Sequence, residues 1–201
     1  MNYLAHIFLS GTDTKVQIGN FVGDAVKGRA YLRYPGQMQK GMLLHRKIDE
    51  FADSHPLFRE AVHMGRSSFG RYSGVVTDLF FDYLLARHFR QYSSRSLPAF
   101  ARRFYWALLL NYRYLPERFQ RFIWHFMITN RLVRYASAEG LRRSLEIMTE
   151  YRGLQIDPYR AMAFLADHQE SLWDLFSAFF PEIQNMCQRE LVRPTTQMLN
   201  S

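Results

Sequence analysis

Residues 74–86 read Gly74-Val75-Val76-Thr77-Asp78-Leu79-Phe80-Phe81-Asp82-Tyr83-Leu84-Leu85-Ala86. This segment is apolar almost all the way round a helix, which predicts a helix buried in the core rather than one on the surface. It nevertheless carries Asp78 and Asp82, and a spacing of four residues places both carboxylates on one face. Because an unpartnered buried carboxylate is costly, each must meet a metal ion, an arginine or a helix N-terminus.

The rest of the chain has the same helical character. Apolar residues recur three or four positions apart, and no Asn-Gly or Asp-Gly dipeptide lies between alternating runs. We predict the all-α class, with a single helical domain over residues 1–191 and a flexible C-terminal tail over residues 192–201. Between Ser177 and Pro181 we expect a bend. The predicted helices span about residues 2–10, 16–27, 37–53, 57–64, 72–91, 97–111, 116–135, 138–151, 158–179 and 181–191.

Composition limits the class of protein. The chain has 201 residues, of which 48% are apolar and 22% are charged, as is typical of one globular domain. A single cysteine, Cys187, excludes an intramolecular disulfide and a Cys-based zinc site. No uncharged apolar run approaches the roughly 18–20 residues of a membrane span. Because residues 1–10 also lack the pattern of a signal peptide, we expect a cytoplasmic protein.

The positive charge of the chain is concentrated in its middle. The formal net charge is +8, and the segment from Arg87 to Arg134, here called the arginine block, holds ten arginines and one acidic residue, Glu117. Aromatic residues interleave these arginines. Because the arginine fork matches carboxylate and phosphate groups, the block indicates an acidic partner: a nucleic acid, an acidic protein or an anionic membrane surface. A solvated helical face whose arginine stems cover apolar surface would give the same pattern.

A second pair of ionisable residues, His45 and Asp49, also has a spacing of four. Both lie at the edge of the apolar stripe of their predicted helix, where ligands pointing into a cleft belong. Taken alone, this pair indicates a surface hydrogen bond, and His6 in its apolar segment indicates a satisfied core histidine. Together with Asp24 and the two buried aspartates, they form a set of carboxylates and imidazoles before residue 90. Such mixed ligands suit Mg²⁺, Mn²⁺ or iron better than a structural zinc site.

Six segments follow one another in a specific order and spacing. They are Asn2-Tyr3-Leu4-Ala5-His6, Gly19-Asn20 through Gly23-Asp24, Gly41 with His45-Arg46-Lys47-Ile48-Asp49, Asp53-x-His55-Pro56, Asp78 through Arg87-His88-Phe89, and Asn130-Arg131-Leu132-Val133-Arg134-Tyr135. Over nearly the whole chain they resemble the acyl carrier protein phosphodiesterase family. The resemblance implies hydrolysis of holo-acyl carrier protein to the apo form, with release of 4′-phosphopantetheine. It also implies a helical fold similar to the HD-type metal-dependent phosphohydrolases, with Mn²⁺ as the favoured ion and Mg²⁺ as the alternative.

The resemblance also implies roles for individual residues. The metal ligands carried over are His6, Asp24, His45, Asp49 and Asp78, and the catalytic residues are Asp24, His45, Asp49, Asp78 and Asp82. The family often has Asp-His where this chain has Asp82-Tyr83, so a histidine ligand or base is missing at position 83.

The implied mechanism is phosphodiester hydrolysis by a metal-activated water. Lys27, Arg46 or Lys47 would bind the phosphate and stabilise its developing charge. Asp49 or Asp82 would orient or deprotonate the water, and the arginine block would dock the acidic carrier protein.

Two other functions compete with this prediction. An HD-like phosphohydrolase that acts on a nucleotide such as an alarmone would use the same ligands. A basic helical protein that binds RNA or DNA through the arginine block would need no enzyme site, and it would leave Asp78 and Asp82 without a purpose. We therefore expect a carrier protein rather than a nucleic acid as the acidic partner.

Overall fold

A computed structural model describes residues 2–193, with side chains for all of them except residues 151 and 152. Within this range the chain is helical and contains no strand, so the predicted all-α class is confirmed. The α-helices are α1 (Tyr3–Leu9), α2 (Thr14–Phe21), α3 (Gly36–Ser54), α4 (Pro56–Met64), α5 (Arg66–Phe69), α6 (Ser73–Arg87), α7 (Phe89–Tyr92), α8 (Leu97–Leu110), α9 (Glu117–Ile128), α10 (Arg131–Arg134), α11 (Ala138–Arg152), α12 (Pro158–Asp167) and α13 (Gln169–Val192).

Helix α6 is the buried helix that its sequence predicts. Its residues from Leu79 to Ala86 are all buried, on every side of the helix. The carboxylate of Asp82 accepts hydrogen bonds from the backbone N–H groups of Leu4 (2.8 Å) and Ala5 (2.9 Å). Of the three partners considered for this carboxylate, the structure shows a helix N-terminus, that of α1. Asp82 therefore fixes the position of α1 from within the core.

Helices α2 and α3 pack with their backbones unusually close together. A Cβ atom at Gly19 would lie 2.1 Å from the carbonyl oxygen of Met38, and one at Gly41 would lie 2.1 Å from that of Val16. Since no side chain fits at either position, the two glycines allow this approach. The close packing brings the end of α2 beside the middle of α3, where the candidate site lies.

Several predicted helices are divided. The predicted helix over residues 16–27 ends at Phe21 and continues as a short 3₁₀ turn at Gly23–Ala25. The predicted helix over residues 116–135 is broken at Asn130, which adopts a left-handed conformation with φ of 46°. Residues 72–91 form two helices with His88 between them.

The predicted bend between Ser177 and Pro181 is wrong. Helix α13 continues through Pro181 to Val192, and the break lies earlier, at His168. Phe179, Phe180 and Ile183, on both sides of the proline, are fully buried in one core. The burial of this continuous face outweighs the hydrogen bond that proline cannot donate.

The ends of the domain stay a prediction. Helix α13 ends within the predicted tail, and residues 194–201 lie outside the described residues. None of the helices in residues 2–193 is both long and apolar enough to cross a lipid bilayer. The cytoplasmic location also stays a prediction.

Candidate metal centre

Three side chains from two helices converge on one point. His6 comes from α1, and His45 and Asp49 come from successive turns of α3. One ligand atom from each of the three lies within 4.8 Å of the other two. The two carboxylate oxygens of Asp49 lie 3.2 Å from Nε2 of His6 and 3.2 Å from Nε2 of His45. The imidazole rings are stacked, with their centroids 4.1 Å apart.

Asn20 on α2 holds both imidazole rings from behind. Its Oδ1 atom lies 2.8 Å from Nδ1 of His6 and 3.1 Å from Nδ1 of His45. The amide nitrogen of Asn20 donates to Oγ of Ser10, whose hydroxyl donates to the carbonyl oxygen of His6. This chain of donors orients the amide so that Asn20 presents its oxygen to the two rings. Both Nδ1 atoms must then carry a hydrogen in order to donate to it.

The opposite ring nitrogens are arranged as metal ligands. Both Nε2 atoms are buried, and each faces a carboxylate oxygen of Asp49 at 3.2 Å. With a hydrogen on Nδ1, a neutral imidazole presents a lone pair at Nε2. Partners that fix the far nitrogen of a metal-binding histidine are typical of metal centres. The two buried Nε2 atoms and the adjacent Asp49 carboxylate therefore fit a metal ion, which would displace any proton on Nε2.

Asp24 approaches the same cluster from the solvent side. It lies in the 3₁₀ turn, its side chain is 78% exposed, and its Oδ1 atom is 3.4 Å from Nε2 of His45. The turn can pass this close because residue 23 is glycine. A Cβ atom at Gly23 would lie only 2.5 Å from Cγ of His45.

The pKa values show which groups are charged without a metal. Burial and the neighbouring ring of His45 lower the pKa of His6 to about 4. Burial also acts to lower the pKa of His45, but Asp24 and Asp49 outweigh it and raise the value to about 9. Contact with His45 lowers the pKa of Asp24 to about 2. Despite the opposing effect of burial, the two histidines hold the pKa of Asp49 well below its usual range.

At neutral pH the cluster and Asp24 together thus hold two carboxylates and one protonated imidazole, that of His45. A divalent cation in place of that proton would balance both carboxylates. Two imidazoles with carboxylate oxygens form a donor set that suits Mn²⁺ and Mg²⁺ chemistry, as well as other first-row metals.

The two aspartates of α6 have different surroundings. Burial raises the pKa of Asp82 to about 7, against the effect of the N–H groups of Leu4 and Ala5. Asp78, one turn earlier, is partly buried, and burial raises its pKa. The three-residue cluster within 4.8 Å does not include Asp78 or Asp82. Asp82 instead supports the helix that carries His6.

The three predicted phosphate-binding residues have different surroundings. Lys27 Nζ lies 3.8 Å from Oδ1 of Asp24, at the solvent side of the cluster. The guanidinium of Arg46 donates to the carbonyl oxygens of Val26 and Gly28, so it holds the loop that follows the 3₁₀ turn. Lys47 lies 3.5 Å from Glu50.

At position 83, where the resemblance implied a histidine, the structure places a core residue. Tyr83 is buried in α6, and its hydroxyl accepts a hydrogen bond from Arg87 one turn later. Sequence reasoning did not assign a role to Asn20. A polar residue between glycine and phenylalanine in an apolar helix was the available signal, because a buried amide needs partners.

The model of the acyl carrier protein phosphodiesterase family matches residues 1–183 of this chain. The chain belongs to this family. Among the relatives named acyl carrier protein phosphodiesterase, the protein of Yersinia pestis is 28% identical over 193 residues, which cover 96% of this chain and 100% of the relative. The protein of Photorhabdus laumondii is 31% identical over 194 residues, covering 94% of this chain and 96% of the relative. No solved structure matches the chain.

Family membership confirms the resemblance on which the sequence-based predictions rest, and the protein is an enzyme of this family. The three clustered ligands and Asn20 all lie within the matched residues. The HD-like architecture stays a prediction.

Proposed function

We propose that this protein hydrolyses holo-acyl carrier protein to the apo form and releases 4′-phosphopantetheine at the cluster of His6, His45 and Asp49. The main support for the proposal is the orientation of the two imidazoles by Asn20, which turns both buried Nε2 atoms toward the Asp49 carboxylate. His6 presents a lone pair there, and a cation would replace the Nε2 proton of His45. A divalent cation, Mn²⁺ before Mg²⁺, would occupy this position, held by these three side chains with Asp24 at its open side.

When bound, the cation supplies a Lewis acid that activates water and neutralises charge on the phosphoryl group. In the overall reaction an oxygen from water bonds to phosphorus, and the bond from phosphorus to the serine oxygen of the carrier breaks. The proton that water loses ends on that serine oxygen. Asp24 is the residue we assign to orient the water and accept its proton, because it is exposed beside the cluster. Asp82 does not suit this role, since it is fully buried and holds the N-terminus of α1.

The cations nearby have distinct roles in this proposal. Lys27 lies on the solvent side beside Asp24, where a substrate phosphate would meet it and where its charge would stabilise the transition state. Arg46 acts indirectly, because its guanidinium is engaged by the loop that leads to Lys27. Asp78 is not part of the three-ligand cluster, and we assign no ligand role to it.

The arginine block supplies the docking surface. Nine of its ten arginines are exposed, and Arg131 is buried. Helices α8 and α9 also expose large apolar side chains among these arginines: Trp106, Leu110, Trp124 and Ile128. Arginines around exposed aromatic and aliphatic groups suit an acidic protein that presents a mixed acidic and apolar surface. The acidic carrier protein is the partner we assign to this surface.

The direct test is the conversion of purified holo-carrier protein, followed by intact mass. With Mn²⁺ we expect the carrier to lose one 4′-phosphopantetheine and the free product to accumulate. Chelation should stop the conversion, and Asp49→Asn should abolish it. Asp53→Asn, an exposed aspartate one turn later on α3, is the matched control and should remain active. Unchanged holo-carrier with the wild-type protein and Mn²⁺ would refute the function.

A salt series tests the docking surface separately. Raising the ionic strength should lower kcat/KM for holo-carrier and leave kcat nearly unchanged, because the exposed arginines act on encounter rather than on chemistry. Equal kcat/KM at low and high salt would exclude electrostatic docking through the arginine block.

A further inference from the structure

A large cavity lies beside the candidate metal centre. Its volume is about 730 Å³, within the range of roughly 300–1,000 Å³ that is typical of small-molecule sites. Its walls come from the start of α1, the 3₁₀ turn, α9, α10 and α11. This volume suits an extended small molecule rather than a segment of folded protein.

Asp24 connects the cavity to the metal centre. It lines the cavity, and its Oδ1 atom also lies 3.4 Å from Nε2 of His45. Lys27 lines the same end. A ligand whose reacting phosphate lay at the cluster could therefore extend from there into the cavity.

The lining is cationic and apolar at once. Four cations and a single carboxylate, that of Asp24, line it, so the cavity favours an anionic ligand. Phe119, Phe122, Ile147 and Met148 supply apolar surface. The buried guanidinium of Arg131 and the side-chain amide of Asn2 also line the cavity. The amide of Asn2 can pair with an amide group of a ligand.

We propose that this cavity binds the 4′-phosphopantetheine arm, with the phosphate at the Asp24 end and the pantetheine chain between α9 and α11. The inference rests on the proposed function and extends it, because it assigns a binding site to the arm itself. The arm combines an anionic phosphate, branched aliphatic carbon and two amides. In the lining, the cations match the phosphate, the apolar side chains match the aliphatic carbon, and the amide of Asn2 matches an amide. The carrier protein would remain outside, on the exposed arginines of the arginine block that do not line the cavity.

Direct binding of the product tests the assignment without any turnover. The free arm keeps its phosphate after hydrolysis, so 4′-phosphopantetheine should bind the Mn²⁺-loaded protein in a calorimetric titration. Pantetheine, which lacks the phosphate, should bind more weakly. Adenosine monophosphate is the competing probe, because a nucleotide site would also be cationic and partly apolar.

Two variants separate the two halves of the cavity. Met148→Trp adds bulk at the buried apolar wall and should weaken 4′-phosphopantetheine and pantetheine alike, by about tenfold or more. Lys27→Gln removes an exposed cation at the Asp24 end of the cavity and should weaken 4′-phosphopantetheine by about tenfold, with little effect on pantetheine. Their controls are Glu150→Trp, which adds similar bulk at an exposed position of α11, and Lys15→Gln, which removes an exposed lysine of α2 outside the cavity.

The outcomes distinguish this inference from the proposed function. Product binding that is absent in the wild type, or unchanged in both cavity variants, overturns the cavity assignment even if holo-carrier is still hydrolysed. Tighter binding of adenosine monophosphate than of 4′-phosphopantetheine, lost in the cavity variants, also overturns it in favour of a nucleotide. Failure to hydrolyse holo-carrier with intact product binding would refute the proposed function and leave the arm site standing. Because Lys27→Gln alters an exposed residue, the test remains decisive even if Met148→Trp does not fold.

Discussion

His6 and His45 come from different helices, yet their imidazole rings stack with centroids 4.1 Å apart and planes within 20° of parallel. Two protonated rings at this distance would repel one another, and only His45 is protonated at neutral pH. Asn20 behind the rings and Asp49 in front of them keep the pair together. This arrangement stabilises two parallel Nε2 ligands at one point.

The first prediction concerns the ligands. Mn²⁺ should bind the wild-type protein with one site, and His6→Ala, His45→Ala and Asp49→Asn should each weaken binding by more than about 100-fold, since losing a ligand costs more than losing a supporting partner. Titration calorimetry measures the affinities. His55→Gln is the control, because His55 contacts Glu182 on α13. Wild-type affinity in all three ligand variants would show that the metal binds elsewhere.

The second prediction concerns Asn20 as a positioning residue. Asn20→Ala should weaken Mn²⁺ binding by about 10–100-fold, because neither Nδ1 atom retains its acceptor. Asn20→Asp keeps an oxygen at that position and should restore most of the affinity. If the alanine variant bound Mn²⁺ as tightly as the wild type, Oδ1 of Asn20 would have no part in orienting the rings.

The third prediction is a pH dependence of stability in the metal-free protein. Asp24 and Asp49 raise the pKa of folded His45 from 6.5 to about 9, despite its burial. Protonated His45 therefore stabilises the folded state fully below pH 6.5, and this contribution disappears as the pH rises through about 9. In chelator, the Tm difference between wild type and His45→Gln should shrink from the lower pH to the higher. A difference that grew with pH would contradict the assigned charges.

The fourth prediction concerns the packing of α2 on α3. Gly41→Ala should cost more than about 3 kcal/mol of unfolding free energy, because the new Cβ would overlap backbone rather than a movable side chain. Gly74→Ala is the matched control. A Cβ there meets nothing within 4 Å, and the change should be neutral or stabilise α6 by about 0.5–1 kcal/mol. Equal unfolding midpoints in urea would disprove the close backbone contact.

Much of this could be predicted from the sequence. The apolar run around Asp78 and Asp82 predicted a buried helix, and the spacing of His45 and Asp49 placed both on one face of α3. Periodicity alone could not show that Asp82 would meet the N-terminus of α1, because that contact joins residues about 78 positions apart. The role of Asn20 depends on the same kind of long-range packing.

Helix boundaries were predicted less well than helix existence. Proline at position 181 predicted a break, but the local cost of a missing donor was outweighed by the burial of the phenylalanines around it. Asn130 is a weaker breaking signal than proline, yet it ends the predicted helix over residues 116–135 because it adopts a left-handed conformation.

The most direct test of the account is the Mn²⁺ dependence of 4′-phosphopantetheine release from holo-carrier, measured in the wild type and in Asn20→Ala. If the cluster is the catalytic metal centre, the Mn²⁺ concentration for half-maximal rate should rise in the variant by the same factor, about 10–100-fold, as the dissociation constant. Saturating Mn²⁺ should then recover most of the rate. A half-maximal concentration unchanged from the wild type, alongside a weakened Mn²⁺ affinity, would contradict the claim that this cluster performs the reaction.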